Sequence, residues 1–263
     1  MLRSIKDMEH YAIAATDGVI GHARDFYFDD EAWVIRYLVV ETNDSRPHRN
    51  VLISPIAVKA PNWAEKTFPV AITRAQVANS PDIDTDKPVS RQQEMGYLGY
   101  YGYGNYWGGG GLWGGGLYPD MLQSGLGATN SQLAAHQHDD PHLRSANAVM
   151  RYYVHATDGD IGHVEGMLID ERTWAIRFIV VDTSNWYLGH KVLIAPEWIQ
   201  DVYWQESKLN VNITRQAVKD APAYDAASVL DREHEADIYQ HHRREAYWLR
   251  EQRVTAKSPH API

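Results

Sequence analysis

The chain has 263 residues, no cysteine, and 34 acidic side chains against 25 Lys and Arg, for a formal net charge of −9. Such an acidic balance argues against a dominant nucleic-acid surface, and the lack of thiols excludes disulfides and thiolate chemistry. The N-terminal MLRSIKDMEH has no apolar core of a secretory signal, and no run of about 20 apolar residues is present to span a bilayer. The expectation is therefore a cytoplasmic protein without a transmembrane segment.

In chain order, Tyr11–Ala14 is an apolar run, Asp17-Gly18 a tight-turn signal, and Val19–Phe28 a second apolar run. Asp29–Glu31 turns the chain into Trp33–Val40, rich in β-branched and aromatic residues and too short for a typical helix. Strands are expected near 10–15, 19–28, 33–41, 49–54, 56–62 and 66–72. Thr73 with Gln76 reads as a capping box, stopped by Pro81. Six short strands at this spacing point to a small closed or nearly closed barrel. On the third strand, alternation sets Ile35, Tyr37 and Val39 against Val34, Arg36, Leu38 and Val40. Assigning the first set to the interior leaves Leu38 and Val40 apolar on an outer face. That face then needs a cover: another barrel, a second chain, or a helix.

Residues 83–142 break the pattern, first with a charged stretch and then with MGYLGYYGYGNYWGGGGLWGGGLYPDM. Glycine at this density reads as a linker, with Tyr100, Tyr103, Trp107 and Trp113 as candidates for a docking patch. His136, His138 and His142, near Asp139 and Asp140, are weak candidates for opportunistic metal binding.

Adding 141 carries Thr16-Asp17-Gly18 onto Thr157-Asp158-Gly159, Trp33 onto Trp174, Val51-Leu52-Ile53 onto Val192-Leu193-Ile194, and Ile72-Thr73-Arg74 onto Ile213-Thr214-Arg215. A period this long is a duplicated domain. The expected organisation is a first repeat at 1–82, a linker at 83–142, a second repeat at 143–223, and a helix with a tail at 224–263. Ile179 and Val181 are the counterparts of Leu38 and Val40. The terminal helix, near 226–253, has only sparse apolar positions and is expected to be weakly docked.

No constellation of residues reads as catalytic. His22 and His163 have no second ligand nearby, Asp17 and Asp158 are explained by turn chemistry, and Arg36 and Arg177 read as stacked or ion-paired structural residues. Gly108–Gly111 lacks the strand, lysine and helix start of a phosphate loop. The expectation is a non-enzyme without a cofactor.

Each repeat resembles a PRC-barrel domain, the small β-barrel of the cytoplasmic part of the photosynthetic reaction-centre H subunit and of the ribosome-maturation factor RimM. The resemblance rests on Thr16-Asp17-Gly18-x-Ile20-Gly21, Asp29, Trp33-x-Ile35-Arg36-Tyr37-Leu38-Val39-Val40 and Val51-Leu52-Ile53-x-Pro55, with their counterparts 141 residues on, and covers about 165 of the 263 residues. It implies a mainly β chain with two small barrels, short helices and a C-terminal helix. It also implies a non-enzymatic protein-interaction or assembly role, with a protein partner, barrel–barrel packing or a homo-oligomer, and no nucleic acid. Peripheral membrane association is compatible with it. The alternatives are a reaction-centre-associated accessory protein in electron transport and a metal-binding protein using the linker histidines.

Overall fold

The computed structural model describes residues 1–43, 49–81, 89–107, 109–123, 142–184 and 191–257. The chain is mainly β, with two mixed sheets and a few short helices. The first repeat contains β1 (Leu2–Ser4), α1 (Ile5–Met8), β2 (Ala12–Ala15), β3 (Gly18–Asp29), β4 (Val34–Thr42), β5 (Asn50–Ile53), β6 (Thr67–Pro69), α2 (Arg74–Ala78) and α3 (Arg91–Tyr101). The second contains β7 (Leu143–Ser145), α4 (Ala146–Val149), β8 (Tyr153–Ala156), β9 (Gly159–Asp170), β10 (Ile176–Asp182), β11 (Lys191–Ile194), β12 (Ile199–Tyr203), β13 (Lys208–Val211), α5 (Arg215–Lys219), α6 (Arg232–His241) and α7 (Tyr247–Lys257).

Two compact units form, and their boundaries do not follow the repeats. One comprises Asp7–Ala146 with Arg172–Ala175; the other comprises Met1–Lys6, Asn147–Glu171 and Ile176–Ile263. The sheet of the first unit runs β5-β4-β3-β2-β6, with β7 added to β3. The sheet of the second runs β11-β10-β9-β8-β13-β12, with β1 added to β9. The repeats thus exchange their first strands. Leu2-Arg3-Ser4 and Leu143-Arg144-Ser145 are the same triplet, 141 residues apart. Arg3 Nε donates to Glu171 at 2.8 Å, and Arg144 Nε donates to Asp30 at 2.7 Å.

The ladder pairings leave each sheet open at the ends named above. The chain leaves β5 and β11 through 3₁₀ turns begun by Pro55 and Pro196. Proline has no N–H to offer a ladder, so these segments cannot extend it. The capping box at Thr73 forms as expected: Thr73 Oγ1 accepts from Gln76 N at 3.1 Å, and Gln76 Oε1 accepts from Thr73 N at 2.8 Å.

From Tyr37 onward the facing of the third strand is the reverse of the expectation, while Ile35, paired with Phe28, lies on the inner face as expected. Glu41 pairs with the exposed His22, so Glu41, Val39 and Tyr37 share the outer face. Leu38 and Val40 point inward and are fully buried, as are Ile179 and Val181. The run is apolar at both parities, and only its polar end reveals which side meets water. Tyr37, on the outer face, packs edge-on against Tyr97 of α3 with ring centres 5.1 Å apart.

The strand exchange predicts that 1–130 and 131–263, co-expressed as separate chains, co-purify as a one-to-one complex, because each supplies a strand to a sheet built by the other. Recovery of independent monomers in size-exclusion chromatography with light scattering would contradict the exchange.

Candidate functional site

A cluster of charged and aromatic groups in each unit grows from a β-bulge. In β4 one extra residue, Arg36, sits between the pairs Tyr27–Tyr37 and Phe28–Ile35; in β10 the extra residue is Arg177, between Leu168–Phe178 and Ile169–Ile176. A bulge re-aims its side chain out of simple alternation. Both arginines are buried, and a buried guanidinium requires acceptors for its donors. Arg36 donates to Asp29 Oδ2 at 3.3 Å and to the Leu112 carbonyl at 2.6 Å. Its guanidinium carbon stands 3.8 Å from the centre of the Tyr106 ring and 4.7 Å from that of Trp113. Arg177 pairs with Asp170 at 3.4 Å and Glu251 at 2.7 Å, and stacks 3.9 Å from Tyr247. The stacked, ion-paired arrangement is the one expected for these arginines.

A cap folded onto the sheet holds each arginine down. In the first unit α3 starts at Ser90, whose side chain accepts from Gln93 N, and stops at Gly102 with φ of 70°. In the second, α6 starts at Asp231, which accepts from His234 N, and Arg243 beyond its end has φ of 52°. Glu94 accepts from the Tyr106 hydroxyl at 2.6 Å, and Glu235 from Tyr247 at 2.9 Å. Arg91 lies 4.5 Å from the Trp107 ring, and Arg232 lies 4.3 Å from Trp248. Each of these pairs again differs by 141 residues.

The duplication therefore extends through Arg91-x-x-Glu94 and Tyr106-Trp107, which return as Arg232-x-x-Glu235 and Tyr247-Trp248. Sequence reading missed these residues although the signal was the same offset. Between the anchors MGYLGYYGYGN faces ADIYQHHRREA, and that divergence hides the match. The stretch expected as linker thus contains a cap, and the expected single solvated helix is two helices, with Glu235, Ile238, Tyr239, Ala246 and Tyr247 buried. Tyr239 covers Phe178 and Trp198, with ring centres 5.9 and 5.4 Å away.

Among the docking candidates, Trp113 is buried and its Nε1 donates to the Thr173 carbonyl at 2.8 Å. Tyr103 and Trp107 are half-buried, while Tyr100 is exposed with its hydroxyl on the Gln76 carbonyl. His136 and His138 lie outside the described residues. His142 is buried, with Nε2 at 2.8 Å from Glu94 Oε2 and 3.2 Å from the Tyr106 hydroxyl. No group of three or more His, Asp or Glu side chains is placed to hold a metal among the described residues. Burial, and then the Glu94 charge, raise the Tyr106 phenol well above its usual range, so it remains a donor. Burial likewise raises the Glu235 carboxyl. Asp17 and Asp158 do more than turn the chain, accepting from Arg74 N at 2.8 Å and Arg215 N at 2.7 Å at the first turns of α2 and α5. Gly21 and Gly162 are required by close approach, since a Cβ there would lie 1.9 Å from the Glu41 carbonyl oxygen and 2.0 Å from that of Asp182. Compared with protein-family models and with curated proteins, the chain has no match.

Two predictions follow the geometry. Arg36→Ala should destabilise the protein by about 3–5 kcal/mol in urea unfolding, because it leaves the buried Asp29 uncompensated. Arg36→Lys should lose less, since it keeps the charge but not the planar stack; a loss below about 1 kcal/mol for the alanine variant would mean that the pair behaves like a surface one. The second concerns His242, which packs 4.6 Å from Trp198. Burial, with His241 and Arg244 beside it, lowers its imidazole from 6.5 to about 4. Folding favours the neutral ring, so its contribution is present above pH 6.5 and is lost as pH falls toward 4. His242→Tyr, which introduces the residue found at Tyr101 in the first repeat, should flatten the fall in melting temperature over that window. An unchanged slope would exclude His242 as its source.

Proposed function

We propose that the chain is a non-enzymatic protein-interaction or assembly module built from two PRC-type barrels. The observation that carries this reading is where the reactive groups are spent: Asp29, Arg36, Glu94, Tyr106 and His142 bond to one another or to the backbone beneath the cap. Groups that could do chemistry serve instead to hold the cap on the sheet. Within the Gly/Tyr/Trp tract, Tyr97, Tyr106 and Trp113 are buried and belong to the scaffold.

In this reading each sheet is a barrel whose seam lies at the 3₁₀ turn between its end strands. Amide–amide NOEs between 191–194 and 199–203 would demonstrate closure, and their absence would leave an open sheet. No helix among the described residues is long and apolar enough to cross a membrane. Native purification of the chain with a chromosomal tag tests the function. A stoichiometric protein partner or a defined self-assembly is expected; recovery as an isolated monomer, with and without crosslinking, would count against the reading.

A further inference from the structure

The outer face of the second unit carries a row that its twin lacks. Tyr203 pairs with Lys208 across β12 and β13, Lys208 with Tyr153 on β8, and Tyr153 with His163 on β9. Directly paired residues share a face. Val154 and Leu209, on the opposite face, are buried, while Tyr153 and Tyr203 are 62% and 42% exposed. In the first unit the same ladder carries Asn62, Thr67, Ala12 and His22. Tyrosine suits strands, but the ladder forms in the twin with asparagine and alanine at these places. The fold therefore does not require two exposed phenol rings here.

The chemistry around the row is mixed. Lys208, Arg215 and His155 lie beside Asp160, His163 and Lys191 beside Asp182, and Lys191 also pairs with Glu165. Donors and acceptors alternate without a surplus of either sign, in a chain whose net charge is −9. A polyanion needs a cationic surplus, whereas a sugar presents C–H faces to aromatic rings and hydroxyls that both donate and accept. Tyr153 and Tyr203 are rooted two strand spacings apart, about 9.6 Å, close to the length of two pyranose rings in an extended β-1,4-linked chain.

We infer that this face binds a neutral, extended β-1,4-linked oligosaccharide, with sugar rings on Tyr153 and Tyr203 and hydroxyls on Lys208 and His163. The inference rests on this face alone and stands apart from the assembly reading. The test is calorimetric titration of the intact chain with cellohexaose, with maltohexaose and an oligothymidylate as comparisons. Saturable binding of cellohexaose is expected, half-complete at about 1 mM or below. The double variant Tyr153→Ala/Tyr203→Asn, which installs the first repeat's own residues, should bind at least tenfold more weakly with an unchanged melting temperature. Tyr153→Phe/Tyr203→Phe keeps the rings and should bind within about threefold of the parent, separating loss of stacking from loss of fold. No saturable cellohexaose binding, equal affinity in the alanine–asparagine variant, or tighter binding of oligothymidylate would each overturn the inference.

Discussion

A guanidinium buried at a β-bulge must keep acceptors around it, and much of each unit depends on that requirement. Removing such a charge from water costs several kcal/mol, which the partners around it must offset. Asp29 on β3 is the first partner of Arg36, but one carboxylate cannot serve a planar fork with five donors. The remaining surface is closed by Tyr106 and Trp113, and the Leu112 carbonyl takes a second donor. Sheet and cap are therefore coupled: lifting the cap would expose Tyr37 and strip partners from Arg36 together.

The two repeats meet this requirement with different chemistry. The second uses the Glu251 carboxylate where the first uses a backbone carbonyl from the glycine-rich tract. Glycine is suited to that tract by close backbone approach: a Cβ on Gly109 would lie 2.2 Å from backbone atoms of Gly114, and one on Gly111 would lie 2.3 Å from the Gly116 carbonyl oxygen. Glu94 gains His142 as an extra neighbour, whereas Glu235 relies on Tyr247 and Arg232. Arginine, carboxylate and tyrosine persist while their surroundings vary, as expected when geometry constrains only the charged centre.

The two exposed sheet faces have diverged further. Freed from core packing, the row across β12, β13, β8 and β9 carries two tyrosines and a lysine in one repeat where the other has asparagine, alanine and threonine, with a histidine at the end of both. Duplication thus supplies an internal comparison. Features common to both repeats, such as the bulge arginine and the exchanged strand, serve the fold. A feature of one repeat alone is available for a ligand.

The sequence by itself determined the duplication, the strand-rich character, the Thr73 capping box and the turns at Asp17 and Asp158, because each is a local pattern or a match at one fixed offset. It also pointed to a structural role for Arg36 and Arg177, from a strand position shortly after a tryptophan, although the rings that stack on them, Tyr106, Trp113 and Tyr247, lie far off in sequence. Only the tertiary structure decided which side of β4 faces inward, since Val34–Val40 is apolar at both parities and a single bulge changes the count. Only it revealed the exchange of β1 and β7, because a three-residue strand has no preference among sheet edges until its arginine finds Glu171 or Asp30. The glycine-rich tract and the C-terminal segment likewise became caps only in three dimensions. Their composition favours solvent, and what holds each is a buried guanidinium far off in sequence: 76 residues separate Arg36 from Leu112, and Arg177 pairs with Glu251 at a similar remove.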